Sequence, residues 1–129
     1  MTALLCEVFS ADGPLAGAIP GYRPRAQQLE LAEHIAAAMN DYRVLVAEAG
    51  TGTGKTYAYL VPALLSGERV IISTGTRALQ DQLYHRDLPR VRAALGASAK
   101  TALLKGRSNY LCRYRMEQSK GERFVSREV

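Results

Sequence analysis

The run Val44-Leu45-Val46-Ala47-Glu48-Ala49-Gly50-Thr51-Gly52-Thr53-Gly54-Lys55-Thr56 passes from apolar, β-branched residues into a glycine-rich turn that closes on Gly-Lys-Thr. A strand, a tight loop and a helix start must follow one another here without a spacer, as in a phosphate-binding loop. Backbone N–H groups reach phosphate oxygens closely only where side chains are missing, so Gly50, Gly52 and Gly54 suit a loop wrapped around the β-phosphate. Lys55 supplies a mobile charge to the β- and γ-phosphates, and the Thr56 hydroxyl can join the shell of a Mg²⁺ ion. The simpler alternative is a plain turn between a strand and a helix. The preceding strand, the helix-forming run after Thr56 and the closing Gly-Lys-Thr together favour nucleotide binding. A dinucleotide fingerprint fits badly, because Lys55 follows Gly54 where a spacer and a further glycine belong.

The remaining chain supplies elements of matching type. Residues 1–24 end in a tract dense in breakers, with Gly13, Pro14, Gly17, Pro20, Gly21 and Pro24, and read as an irregular lead-in. Pro24 opens a helix to about Met39, with Leu29, Ala32, Ile35, Ala36 and Met39 as its apolar stripe. Arg43 to Glu48 is the first predicted strand. The helix from Lys55 to Leu65 contains Pro62, which should kink it or loosen its first turns. Arg69 to Thr74 is a second strand, an unalternating run suited to burial on both faces of a parallel sheet. Thr76 caps a helix from Arg77 to about His85, Pro89 opens or interrupts another ending near Gly96, and Thr101 to Leu104 is a weaker third strand. The expected class is therefore α/β, a parallel sheet flanked by helices with ligands at the strand carboxyl ends.

With 129 residues, 47% of them hydrophobic, the chain suits one compact domain. Its net charge of +5 favours a polyanionic partner, and the charge is uneven. From Arg86 to Arg115 the basic residues are Arg86, Arg90, Arg92, Lys100, Lys105, Arg107, Arg113 and Arg115, against the single acid Asp87. Such a stripe either neutralises phosphates or is a solvated basic face. The two cysteines, Cys6 and Cys112, have no Cys-x-x-Cys spacing, and His34 and His85 have no second ligand near them in sequence. No signal peptide is apparent, and no apolar stretch approaches the ~20 residues that span a bilayer. These readings predict a soluble, cytoplasmic protein with no membrane partner.

Four blocks in one order carry a family resemblance. They are Arg25-Ala26-Gln27-Gln28, Glu48 to Tyr57, Ile72-Ser73-Thr74-Gly75-Thr76-Arg77-Ala78-Leu79-Gln80-Asp81-Gln82-Leu83, and Leu104-Lys105-Gly106-Arg107-Ser108-Asn109-Tyr110-Leu111-Cys112. Ala49 stands where the general phosphate-loop pattern has glycine, and this Ala-x-x-Gly-x-Gly-Lys-Thr form resembles motif I of superfamily 2 helicases. Over roughly residues 9–118 the chain is similar to the amino-terminal part of the DinG/YoaA group of XPD-like iron–sulfur helicases, the YoaA type most of all. The resemblance implies the first part of a RecA-like ATP-binding domain over 25–111. The start of an iron–sulfur region and an unmatched tail would then fill 112–129.

It also implies site residues. Arg25 and Gln28 correspond to the adenine-side motif, Gln28 through an amide that donates and accepts at once. Ala49, Gly50, Thr51, Gly52, Thr53, Gly54, Lys55, Thr56 and Tyr57 form the ATP loop, with Lys55 and Thr56 serving the chemistry and Thr56 holding Mg²⁺. Thr74, Thr76 and Arg77 of the second block, joined by Lys105 and Arg107, become contacts to the backbone of single-stranded DNA, which position a strand without reading sequence. Cys112 matches the first thiolate of a 4Fe–4S cluster, a cofactor expected only in the longer parent because such a cluster takes four thiolates.

An NTPase further needs an acidic pair to hold Mg²⁺ and place the water, and the chain has no Asp-Glu dipeptide. The function expected is that of the front end of an ATP-dependent 5′-to-3′ DNA helicase linked to DNA repair, inactive in hydrolysis by itself. The alternative of a different class is a non-catalytic nucleotide- or nucleic-acid-binding module.

Overall fold

The computed structural model describes residues 2–119. Its scaffold is helical. Helix α1 (Thr2–Val8) and α2 (Pro14–Ala18) come first, then α3 (Ala26–Asn40), α4 (Lys55–Leu65), α5 (Arg77–Gln82), α6 (Leu88–Ala94) and α7 (Arg113–Gln118). The pair α3 and α4 forms the centre, α1 packs on α3 and α2, and α6 packs on α2 and α4.

One core joins all of these except α5 and α7. Leu5, Val8 and Phe9 enter it from α1 and its end, Leu15 from α2, Ala32 and Ala36 from α3, and Ala58, Leu60 and Val61 from α4. Val91 of α6 completes it, with Leu83 ahead of that helix. Ala32 and Ala36 lie one turn apart on α3, and both are buried in the core. The stripe expected on α3 is borne out in its alanines, while Ile35 and Met39 line a shallow apolar cavity against residues 70–75.

The lead-in corrects the sequence reading. Residues 2–24 are not wholly irregular: Thr2–Val8 and Pro14–Ala18 are helical and contribute Leu5 and Leu15, both fully buried, while residues 9–13 and 19–24 are turns and coil. Pro14 does not break structure there because it occupies the first turn of α2, where its missing N–H has no helical acceptor to lose. Gly13 is required by contact, since a Cβ would stand 2.2 Å from the Glu7 carbonyl oxygen.

The strands are the second correction. Among the described residues, none of the segments 43–48, 69–74 and 101–104 is a β-strand. A ladder needs backbones about 4.8 Å apart, whereas residues 69–74 and 99–104 form walls of a cavity of about 550 Å³. Nor are the apolar runs covered on both faces. Leu45 is 40% exposed beside Val46 at 93%, and Ile72 is 38% exposed beside Ile71 at 92%. One face turns toward the helices and the other is bare.

The region from Arg77 to Ala94 is one nearly continuous helical path. Thr76 caps it as expected, its hydroxyl accepting from the Leu79 N–H at 3.2 Å. Between α5 and α6 the turn Leu83–Asp87 widens to π geometry, and the Leu88 N–H donates to the Leu83 carbonyl. Pro89 has no N–H and its ring would crowd the carbonyl four residues earlier, so a widened turn carries the chain past it. Pro62 is accommodated within α4, which runs through to Leu65.

Because Leu15 is wholly buried, Leu15→Ala should lower unfolding free energy by about 2–5 kcal/mol in chemical denaturation. A loss below about 0.5 kcal/mol, the range of surface positions, would return residues 1–24 to the status of a lead-in.

Candidate functional site

The glycine-rich loop sits where α3 and α4 meet. Gly52 and Gly54 have φ of 79° and 80°, the left-handed region, and Gly54 is the residue from which α4 starts. An L side chain is strained at such a φ. At Gly54 it would also collide, because a Cβ would lie 2.0 Å from the Gln28 Nε2.

The loop carbonyls are held from several sides. Lys55 Nζ donates to the carbonyls of Ala49 at 2.6 Å and Gly50 at 2.9 Å. The Thr53 hydroxyl donates to the Gly50 carbonyl at 2.9 Å, and the Arg25 guanidinium donates to the Gly52 carbonyl. Gln28 Nε2 donates to the Gly54 carbonyl at 2.9 Å, and the N–H groups of Tyr57 and Ala58 share that oxygen. The backbone N–H groups of residues 50–56, by contrast, have no acceptor among the described residues. Donors left open at the start of a helix, with an ammonium beside them, are what an anion needs.

The structure thus brings Arg25 and Gln28 to the loop, on the other helix of the central pair. Gln28 is buried, only 2% exposed. Its Oε1 accepts from the Tyr22 hydroxyl at 3.3 Å. Burial pushes the Tyr22 phenol above its ordinary range, with Arg25 partly opposing the shift. Sequence reasoning missed Tyr22 because it lies among glycines and prolines with no periodicity to give it a face. On α4, burial raises Tyr59 as well; the nearby Thr56 hydroxyl opposes the shift and the Asp87 carboxylate reinforces it.

The second block lies apart, around the start of α5. The Thr74 hydroxyl donates to the Thr76 carbonyl at 3.3 Å, Thr76 is occupied in capping, and Arg77 is exposed. Lys105 Nζ lies 2.8 Å from Asp81 Oδ1, so it is paired rather than a free cation, and Gln80 Nε2 donates to the Leu104 carbonyl at 2.9 Å. These two bonds tie residues 104–105 to α5. Arg107 is exposed in a single 3₁₀ turn, Arg107–Asn109. The basic stripe is also partly consumed at Arg86, which pairs with the buried Asp87 at 2.9 Å.

Cys112 is exposed and precedes α7, and Cys6 is exposed near Glu33. Two cysteines do not fit a four-thiolate cluster, and among the described residues no group of three or more His, Cys, Asp or Glu side chains could hold a metal ion. Among the same residues no helix is long and apolar enough to cross a membrane. The tail expectation for residues 120–129 lies outside the described residues.

Comparison with known proteins adds to this geometry. The DEAD/DEAH box helicase family matches residues 26–120. Over 114 residues the chain is 60% identical to "ATP-dependent DNA helicase YoaA" of Escherichia coli (strain K12), covering 88% of this chain and 18% of that protein. Over 110 residues it is 47% identical to "ATP-dependent helicase DinG" of Mycobacterium tuberculosis (strain ATCC 25618 / H37Rv), covering 79% of this chain and 16% of that one. It is 39% identical over 108 residues to "3'-5' exonuclease DinG" of Bacillus subtilis (strain 168), covering 81% of this chain and 12% of that protein. The chain thus spans less than a fifth of the length of these relatives. No solved structure matches.

The Lys105 bond holds the Asp81 carboxyl below the usual aspartate range, and nearby positive charge adds to the effect. A lowered folded-state value stabilises the fold above the unfolded value near 3.9 and is lost as pH falls through the folded value. In Lys105→Met the Asp81 carboxyl should titrate at higher pH than in the parent chain, followed by carbon-detected NMR. An unmoved titration would show that the pair is absent in solution.

Proposed function

The chain belongs to the DEAD/DEAH box helicase family, and from that premise we propose that it is the nucleotide-binding front of an ATP-dependent DNA helicase of the DinG/YoaA type. Residues 25–111 would be the first part of a RecA-like domain, and 112–129 the start of an iron–sulfur region that other parts of the parent complete. In that parent the segments 43–48, 69–74 and 101–104 would become parallel strands, their bare faces and edges covered by further elements. The family does not favour the alternative of a stand-alone, non-catalytic module.

The observation that carries the reading is the polarity of the loop. Its carbonyls are turned to Lys55, Arg25, Thr53 and Gln28, while its N–H groups have no acceptor among the described residues. On arrival of a triphosphate, Lys55 would leave the Ala49 and Gly50 carbonyls for the β- and γ-phosphates. The N–H groups of Gly50 to Thr56 would surround the β-phosphate, with Ala49 and Tyr57 bounding the loop. Mg²⁺, when bound, neutralises charge building on the phosphate oxygens; the Thr56 hydroxyl would join its shell. Arg25 and Gln28 would border the adenine side.

The parent would couple ATP hydrolysis to movement along single-stranded DNA in the 5′-to-3′ direction, in the service of DNA repair. Thr74, Thr76 and Arg77 would touch the DNA backbone, with Arg107 nearby. Lys105 would take part only after giving up Asp81. The chain would work in the cytoplasm.

Lys55→Ala removes a charge-assisted contact that normally contributes about 1.5–3 kcal/mol, so MgATP affinity should fall about 10- to 100-fold in isothermal titration. Equal affinity in the parent chain and in Lys55→Ala would contradict the reading.

A further inference from the structure

The acids between Arg77 and Lys105 are Asp81 and Asp87. Asp87 is buried, and its carboxylate accepts from Gln82 Nε2 at 3.0 Å and Arg86 Nε at 2.9 Å. Asp81 is placed differently. It stands one helical turn from Arg77 on α5, and its Oδ1 lies 2.8 Å from the Lys105 ammonium. That oxygen is shut off from solvent, and among the described residues no donor but the ammonium is beside it. A carboxylate oxygen so placed holds its counter-charge firmly, because no second donor compensates it when the ammonium leaves.

The neighbouring cations are free by comparison. Arg77 and Arg107 are exposed, and among the described residues neither pairs with a carboxylate. Nor does the loop that carries Lys105 and Arg107 depend on Asp81 alone for its shape. The Leu104 carbonyl accepts from Gln80 Nε2 at 2.9 Å, and the Lys105 N–H donates to the Tyr110 hydroxyl at 2.9 Å. The Gly106 carbonyl accepts from the Asn109 N–H at 2.9 Å and from its Nδ2 at 3.0 Å. With the backbone of residues 104–110 tied by these bonds, the Lys105 side chain can change partner while the loop stays in place.

We propose that Asp81 is a built-in competitor of the DNA phosphates: its carboxylate occupies the Lys105 ammonium in the unbound chain, and a phosphate must displace it before Lys105 grips the strand. The proposal rests on the reading of residues 74–107 as contacts to the DNA backbone and adds what regulates them. In the exchange the ammonium gives up a carboxylate and gains a phosphate oxygen, so Lys105 contributes only the difference between two ion pairs. Arg77 and Arg107 give up no such partner and contribute their contacts undiminished. Asp81 therefore sets the strength of the grip on this face without touching the strand.

The test measures binding of a labelled oligothymidylate by fluorescence anisotropy over a range of salt, in the parent chain, Asp81→Asn, Lys105→Met, the double variant and Arg107→Ala, with circular dichroism confirming the fold. Asp81→Asn keeps the shape of the side chain and removes its charge. It should tighten binding about three- to tenfold, between the worth of an exposed ion pair and that of a charge-assisted hydrogen bond. The same substitution should add nothing in the Lys105→Met background, since the gain is the release of Lys105. Between Asp81→Asn and the double variant, the slope of log K against log salt should shrink by about 0.7, the share of one phosphate contact on a single strand. An equal gain with Lys105 removed would show Asp81 only repelling the strand. Unchanged or weaker binding in Asp81→Asn would make it a mere tie for residues 104–105, and an unchanged slope would take Lys105 off the phosphates; each of these overturns the proposal. If Asp81→Asn does not fold, carbon-detected NMR of the parent decides: on addition of the oligonucleotide the Asp81 carboxyl should titrate at higher pH, as in Lys105→Met, and an unmoved titration overturns the proposal. Should no form of the chain bind the oligonucleotide, the DNA reading itself fails and this inference with it; binding weakened in Arg107→Ala but indifferent to Asp81 defeats only the inference.

Discussion

The close approach of α3 and α4 is the constraint on which the site depends. The two helices pack on each other, and Ala32 and Ala36 of one and Ala58 of the other are buried in their shared core. That approach brings the first turn of α3 against the loop that starts α4. Arg25 and Gln28 can then reach Gly52 and Gly54 although they are more than twenty residues away in sequence. The glycines of the loop supply the conformations, but a neighbouring helix holds their carbonyls in place.

The two lead-in helices belong to the same construction. They are 7 and 5 residues long, too short to be stable alone, and are held by burying Leu5, Val8 and Leu15. The Tyr22 hydroxyl, 3.1 Å from the Phe9 carbonyl and 3.3 Å from Gln28 Oε1, links the end of α1 to α3. The segments 43–48 and 69–74 are different in character. Val44, Val46 and Ile71 lie almost fully exposed, and residues 69–74 and 99–104 line a cavity and are not strands. Exposed runs of β-branched residues with no ladder partner are surfaces that other chain segments ordinarily cover. This contrast is consistent with a chain that spans under a fifth of its relatives' length.

Helices α3 and α4, the Thr76 cap and the loop were legible because each has a local signature: a stripe at helical spacing, a capping hydroxyl, a Gly-Lys-Thr closure. The helices α1 and α2 were not, since five to seven residues carry less than two turns of periodicity and Gly13 and Pro14 have the same appearance whether they break a helix or begin one. Burial of Gln28 was equally hidden, because it follows from where Tyr22 lands after a turn and not from the amphipathic stripe of α3. The pairing of Lys105 with Asp81 joins residues 24 positions apart, and no local spacing announces it. As for the strands, composition reveals the preference of a segment for extended structure but not whether a partner is present at ladder distance. The π turn had one visible signal, Pro89, whose missing N–H forbids a regular continuation from Leu83.

The central claim is that a preformed loop between α3 and α4 binds triphosphate through its backbone N–H groups. Amide NMR during titration with MgATP tests it most directly. The account predicts that the largest shifts, saturating together, fall on the N–H groups of residues 50–56, with the Lys55 ammonium leaving the Ala49 and Gly50 carbonyls. Saturable shifts concentrated elsewhere on the chain, with those amides unmoved, would contradict it.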